Sequence, residues 1–526
     1  MTAGTVTPHR SPVAQERDSF WYLVHAEWTK FRTVRGWVIA VLVTIGGITA
    51  FAFLGADVSG GCATTGGTSG ATGGTVACPV QPIGPGGAPV IDAFYFAHQP
   101  VAGNGTITVQ VTSLTGRVPA APAGSELDEP QIGSGLQPWS KAGILLKEST
   151  SQGSAYAAMM VTGSNGVRMQ WDYVNDTSGL AGSVSAAAPR WLRLVRRGGT
   201  VTGYDSADGT HWTLVGTAKL PGLTATVQAG LFAAGSSVNG DFGAMAAGAF
   251  RHIRLSWPAT GWTGTNVGGV SLNSGLSVPG TLRQSAGTVT VSSYGDISPA
   301  AGNAYSGSGQ SLQRALDGTF FGLIPLIVVA AMFITAEYRR GLIRVSLTAV
   351  PRRGRLLAAK AVVIGAVGFV AGLVAATLAL AVGTPLLGRG VGLQWPVSLL
   401  TEARMVVGTA ALLGVAAVLA LAIGTIAARS APAVAAVIMV IFVPFLLTRG
   451  PLQGPDGEGP GWPLRITPAA ALSVQQAVPT FHQLIAVYSP NAGYYPLAPW
   501  AGLAVECAWA AGALALALFL LRRRDA

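Results

Sequence analysis

Six apolar runs constrain this chain more than any other feature. They span Trp37–Gly55, Phe320–Ala336, Leu356–Gly383, Met405–Ala427, Pro432–Thr448 and Trp500–Leu521. Each approaches or exceeds the ~20 residues that cross a bilayer as a helix. Inside lipid every backbone N–H and C=O must be satisfied within the segment, which makes helix the only open choice for such runs. Only 10% of the 526 residues are charged, against about 25% in soluble domains. The first run is expected to be a retained anchor, because 36 residues with Trp21, Trp28 and several charges precede it.

Charge distribution orients these runs. The chain carries 33 Lys/Arg against 22 Asp/Glu, a formal net charge of +11. Residues 57–318 are balanced, with 13 of each sign, while 337–360 hold seven basic groups and the single acid Glu337. The N-terminal 36 residues and the Arg522–Arg523–Arg524 end add the rest of the excess. Cytoplasmic loops retain Lys and Arg, so both termini and 337–360 are expected on the cytoplasmic side of the plasma membrane and 57–318 outside. The excess is accounted for by topology, which leaves no basic surface calling for nucleic acid. Cys62 and Cys78 fall in the outward interval and form a candidate disulfide, because oxidised cysteines persist outside the cell.

The stretch Thr335–Lys360 is more than a charged loop. Gly341, an amphipathic turn of Leu342, Ile343, Ser346 and Leu347, and a break at Pro351 describe a short docking helix between two spans. Anchoring to anionic lipid would explain its charge but not Glu337 or this punctuation. Ahead of the first span, Phe20, Trp21, Leu23, Val24, Trp28, Phe31 and Val34 fall on one helical face of Phe20–Arg35. A helix with that face lies in the membrane interface. Glu27 interrupts the apolar face, which calls for a protein partner or for Lys30 beside it; a solvated interfacial charge is the competing reading.

The outward interval opens with a Gly/Thr/Ser-rich tether, 56–86, and then changes period. Ten short segments between Ala93 and Trp257 are β-branched or aromatic and are bounded by Gly, Asn, Asp or Pro, with Asn165–Gly166 and Asp208–Gly209 as hairpin signals. Such spacing predicts an antiparallel sandwich over 87–318. Its segment Pro189–Gly216, PRWLRLVRRGGTVTGYDSADGTHWTLVG, resembles the concanavalin/laminin-G-like jelly-roll domains of bacterial surface proteins. The Trp-rich opening strands of such domains come last here, at Gly261–Ile297, which resembles a circular permutation or a split domain whose two ends return to the membrane. The lectin likeness makes Trp171, Tyr173 and Trp212, with Trp191 and Asp205 nearby in sequence, candidate glycan contacts. Aromatic residues filling the sandwich core is the simpler account, since fold does not imply function.

The sequence contains no Gly-x4-Gly-Lys-Ser/Thr phosphate loop, no HExxH or paired Cys/His metal motif and no nucleophile elbow. No catalytic residue, metal site or cofactor is therefore expected on this chain. Glu506 is the one acid inside a span, roughly 10 Å from its outer end at 1.5 Å per residue. It is a candidate for the transport path or for a hydrogen-bonded subunit interface. A half-buried helix is expected at Pro468–Val478.

Ala26–Thr33 (AEWTKFRT) and Thr335–Lys360 together resemble type-2 ABC transporter permeases of the exporter type from actinobacteria. The resemblance covers residues 20–55 and 319–526. It implies the membrane-spanning subunit of an exporter, a second permease copy or paralogue, and separate ATP-binding subunits that hold ATP and Mg. The interface helix and the loop between spans two and three would form the contact, making Glu27, Lys30, Arg32, Glu337, Arg339, Arg340, Gly341 and Arg344 coupling candidates. The expected architecture has a disordered N-terminus 1–18, the interface helix and first transmembrane helix 19–55, the tether, the extracellular jelly-roll sandwich, and five further transmembrane helices over 319–526. Such an insertion departs from the family pattern. A membrane-anchored surface receptor or glycan-binding protein acting through the β-domain is the alternative, and a secondary transporter or channel a third class.

Overall fold

The computed structural model describes residues 20–58, 82–119, 132–236, 244–269, 278–301, 311–339, 341, 352–387, 394–449, 461–484, 488, 490 and 493–523. Six described helices are long and apolar enough to cross a membrane. They are Arg35–Val58, Thr319–Arg339, Arg353–Leu387, Leu399–Ala427, Ser430–Arg449 and Pro499–Arg523, here spans one to six. Each lies on one of the apolar runs. An interfacial helix, Phe20–Thr33, precedes span one.

Small residues decide how closely the spans pack. On span three, Gly368 and Gly372 sit against span four so tightly that a Cβ on Gly372 would come within 2.8 Å of the Ala410 Cα. A Cβ on Gly322 of span two would strike Ile48 of span one at 2.4 Å. Without a hydrophobic drive between helices in lipid, such close backbone approach is what holds them together. Spans four and five are joined by a tight reversal in which Ala428 takes a left-handed φ of 54°. The segment expected to be a half-buried helix at Pro468–Val478 is a 3-10 helix, Pro468–Gln475, and all eight of its residues are buried. It wedges between spans four and six, where Gly502 leaves room for the Ala470 carbonyl.

Between spans one and two the chain builds a sandwich of two antiparallel sheets. Its strands are β1 (Val90–Ala102), β2 (Gly105–Pro119), β3 (Ile132–Ser134), β4 (Lys141–Lys147), β5 (Tyr156–Thr162), β6 (Val167–Trp171), β7 (Asn175–Ser178) and β8 (Arg190–Arg197). There follow β9 (Thr200–Ser206), β10 (Thr213–Lys219), β11 (Thr226–Ala234), β12 (Met245–Leu255), β13 (Thr263–Val267), β14 (Thr281–Ser285), β15 (Thr288–Tyr294) and β16 (Asp296–Pro299). The first sheet runs β13-β1-β11-β4-β5-β6-β7, with β16 on β1; the second runs β10-β9-β8-β2-β12-β15-β14, with β3 on β2. Alternating residues such as Val109, Ile144, Met159, Leu192, Leu194 and Leu231 fill the space between them. The strands after Gly261 complete both sheets, β13 and β16 in the first, β14 and β15 in the second.

The first and last strands of the domain pair with each other, Val90–Ala93 against Asp296–Pro299. Two buried lysines on β4 secure them. Lys147 Nζ lies 2.8 Å from Asp92 Oδ2 on the entering strand, and Lys141 Nζ 2.9 Å from Asp296 Oδ1 on the leaving one. Asp92 also accepts from the Tyr173 hydroxyl and from the Gly153 N–H. Buried charges require such pairing and extra hydrogen bonds to repay their desolvation. Close by, the domain rests on the membrane part. The Trp395 indole donates to the Ala300 carbonyl at 2.8 Å, and the Gln483 amide donates to the carbonyls of Tyr173 and Val174. Ala88, Ala301, Trp395, Val478, Leu484 and Tyr494 form an apolar cluster at this seam.

Asp172, next to the seam, adopts a φ of 47°, which Asp and Asn tolerate better than most residues. Burial lifts its carboxyl from the ordinary 3.8 to about 6, against the pull of the Tyr156 N–H and Lys147. An acid whose folded pKa is raised weakens the fold as it ionises, so the cost is absent below about pH 4 and complete above about pH 6. Asp172→Asn should therefore stabilise the full-length protein by about 1 kcal/mol at pH 7.5, allowing for solvent screening, and by nothing at pH 4. Melting temperatures of both proteins at the two pH values measure this.

Candidate coupling site

The interfacial helix, the end of span two and the start of span three converge on one buried ammonium. Lys360 is fully buried, and its Nζ lies 2.6 Å from Glu27 Oε2 and 2.7 Å from Glu337 Oε1. Lys30 closes the group from outside, 2.8 Å from Glu27 Oε1 and 3.2 Å from Glu337 Oε1. Two cations and two anions thus form a neutral tetrad. Helical geometry explains its local part, since Glu27 and Lys30 are one turn apart on the same face. The rest is tertiary: Glu337 ends span two, and Lys360 is two turns into span three.

Aromatic rings enclose the tetrad. The Lys360 ammonium sits 4.7 Å from the Phe333 ring centroid, a cation–π contact. Phe31 and Trp37 pack edge-on to Phe333 at 6.0 and 5.4 Å, and Trp28 stacks on Phe31. Shielded charges interact more strongly than they would in water. Burial tends to lower the Lys30 pKa, but Glu27 and Glu337 outweigh it and leave the value above the ordinary one. Glu337 Oε2 is buried with no hydrogen bond among the described residues.

Of the coupling candidates, the structure brings together Glu27, Lys30 and Glu337. Glu27 and Glu337 are 2% and 8% exposed and face into the bundle. Arg32 and Arg339 point outward and take no part in the tetrad. Gly341 is exposed, with a left-handed φ of 66° that suits glycine. Arg340 and Arg344 lie outside the described residues, as do Cys62 and Cys78. Lys360 joins the site without having been a candidate. Its signal was present: a cation within an apolar run, AAKAVV, demands a counter-charge. A further link ties this end together, the Arg353 guanidinium donating to the Leu521 carbonyl at the end of span six.

Glu506 lies elsewhere, in the half of the bundle nearer the β-domain. It is 2% exposed, and its Oε2 has no partner among the described residues. In that half, the Gln475 amide bridges the hydroxyls of Thr319 and Thr409 at 2.9 and 3.1 Å. The glycan candidates do not form one surface. Tyr173 is 1% exposed with its hydroxyl on Asp92 and Lys147, so its ring offers no face to a sugar. Trp171 packs half-buried against the core of the first sheet. Trp212 precedes β10 in the second sheet and lies under the Arg193 guanidinium at 3.7 Å. Asp205 is buried and accepts from the Leu180 N–H.

Six apolar helices and an inserted two-sheet sandwich define a multi-pass membrane protein. Residues 242–526, more than half of the chain, match the ABC-2 family transporter protein, and the chain belongs to that family. It is thereby a membrane permease component of an ABC transporter. No curated protein matches it. Among solved structures, it is similar to a functionally unknown protein from Saccharomyces cerevisiae at 15% identity, covering 32% of this chain and 76% of that one, TM-score 0.20. It is also similar to scytalido-glutamic peptidase bound to a transition state analog inhibitor, at 9% identity over 38% of this chain and 97% of that one, TM-score 0.23. At these scores neither likeness bears on activity.

Replacing Lys360 by Met would leave two buried carboxylates with only the half-exposed Lys30 to neutralise them. Breaking a buried ion pair by removing one partner costs about 3–5 kcal/mol. Lys360→Met is expected to melt at least several degrees lower in detergent, and Glu27→Gln with Lys360→Met to recover part of the loss. A double-mutant cycle on melting temperature measures the coupling.

Proposed function

We propose that this chain is the membrane-spanning subunit of an ATP-driven exporter, working with separate cytoplasmic ATPase subunits that bind ATP and Mg. The observation that carries this reading is the tetrad. It fastens the interfacial helix to both helices that flank the basic loop after Arg339, so a push on that loop reaches span one and span two together. The exposed cations Arg32 and Arg339, with Arg340 and Arg344 in sequence, supply the docking charge, while Glu27, Lys30 and Glu337 transmit within the chain. In this reading the interfacial helix, the loop and both termini are cytoplasmic and the β-domain extracellular, in the plasma membrane.

Two copies, or this chain and a paralogue, would enclose the path, with membrane lipid around them. The buried Glu506 and the 3-10 segment Pro468–Gln475 provide the polar lining nearest the outer face. The chain itself carries no phosphate-binding loop, which assigns hydrolysis to the partner.

Affinity purification from mild-detergent extracts should recover an ATP-binding cassette subunit in stoichiometric amount. Arg340→Glu should reduce its recovery and its stimulated hydrolysis by tenfold or so, the order expected for reversing one charge at a docking contact. Membrane insertion of the variant should be unchanged. An intact complex with no ATPase would defeat the proposal.

A further inference from the structure

The outer face of the second sheet has an unusual composition. Its seven main strands contain nine Arg or Lys and one acid, Asp205. That acid is buried, so none of these strands presents a negative charge to solvent. Among the basic residues Arg190 and Arg196 share the inward register of Leu192 and Leu194; Arg196 caps the carbonyls of Gly198, Thr224 and Ala225, and Arg190 donates to the Ala181 carbonyl. Among the described residues, none of the seven outward ones has an acid within ion-pairing distance, while elsewhere in the domain Lys141, Lys147 and Arg168 are all paired.

Strand register orders this charge. Arg193 on β8 and Arg254 on β12 flank Thr108 of β2, and Trp191 and Arg251 flank Gln110 in the next row of the same face. With strands about 4.8 Å apart, the flanking residues stand roughly 10 Å from each other across β2. Each row carries an aromatic plane. Trp212 lies 3.7 Å under the Arg193 guanidinium, and His252 stacks on Trp191 at 5.5 Å with 19° between the planes. His252 reaches that position from an irregularity in β12, with a φ of 48°. A non-glycine residue held there costs free energy and tends to mark a surface with a use. Bulges re-aim side chains in the same way.

The face also points away from the membrane part. The seam is made from the first-sheet side, through Ala88, Tyr173, Val174, Ala300 and Ala301. A lipid surface beside the spans would meet that side first. An extended polymer reaching the domain from outside would meet the second sheet.

We infer that the outer face of the second sheet binds an anionic polysaccharide, its acidic groups on the Arg193–Arg254 and Arg251 rows and a sugar ring on Trp212, the Trp191 ring being covered by His252 and Gly209. Guanidinium groups pair with carboxylate or phosphate in a planar fork, and aromatic faces accept the C–H side of a sugar ring. A neutral glycan would leave the cations unused. This inference stands on the β-domain alone and does not depend on the ATPase partner.

The test uses the full-length protein in nanodiscs of neutral phosphatidylcholine, with polygalacturonate as the probe and dextran as the uncharged control. Polygalacturonate should bind and dextran should not, and the affinity should fall as salt is raised. Arg193→Ala with Arg254→Ala should weaken binding by about tenfold or more, and Trp212→Ala by several-fold, with melting temperatures close to that of the parent. Equal binding of dextran, absence of binding by the folded protein, or unchanged affinity in the double variant would overturn the proposal. So would phosphatidylglycerol vesicles that compete through the same arginines, since the surface would then be one for lipid.

Discussion

Lys360 is the interaction on which the half of the bundle away from the β-domain depends. A single ammonium, fully removed from solvent, is neutralised by one carboxylate from the interfacial helix and one from the end of span two. None of the three groups could be buried without the others, because an isolated ion in a low-dielectric site costs several kcal/mol even after relaxation. The interfacial helix is held by more than its apolar face: Trp21 and Tyr22 remain exposed at 70% and 63%, and the inward residues are Glu27 and Phe31. That distribution suits a helix whose aromatic side meets the lipid headgroups and whose acidic side is locked to protein.

A second pair of ionic contacts governs the outer side. Lys147 and Lys141 leave β4 on the same face and grip the entering and leaving strands through Asp92 and Asp296. The two connections to the membrane therefore emerge side by side, which is what an insertion between two adjacent helices needs. Their ends pack at once on the loops after spans three and five through Trp395 and Gln483. The sandwich is thereby seated on the helices rather than hung from them.

The spans were legible in the sequence because twenty apolar residues in lipid admit one solution, and their ends agree with the runs to within four residues, except that span four begins six residues earlier, at Leu399. Strands between Ala93 and Trp257 were legible from period-2 alternation and from Asn165–Gly166 and Asp208–Gly209. β7 and β3 were not, because NDTS and IGS are polar or small and become strands only by pairing with β6 and β2. The 3-10 helix at Pro468–Gln475 reads as a helix in sequence, and only packing between spans four and six buries it on every side. Glu27 beside Lys30 was visible as a break in an apolar face. Its link to Lys360, 333 residues away, depends on a chain reversal that no local pattern encodes. Tyr173 shows the reverse case: the lectin likeness made it a candidate contact while core filling was the simpler account, and the structure buries it with its hydroxyl on Asp92.

These parts combine into one mechanical argument. Spans one and two are bound along their length by the Gly322–Ile48 contact and by the Phe51–Phe321 stack, 4.3 Å between centroids. At the end away from the β-domain the tetrad ties span two to the helix that leads into span one, and the opposite ends lead towards the paired strands β1 and β16. A displacement at the tetrad end cannot be absorbed by sliding one of these helices past the other without breaking a buried ion pair or a close glycine contact. Packed interfaces of this kind shift between discrete arrangements rather than deform smoothly. In the proposed exporter, motion entering at the basic loop would be delivered to the base of the β-domain as a shift of the span pair. There Trp395 and Gln483 are the contacts that must either travel with it or let go.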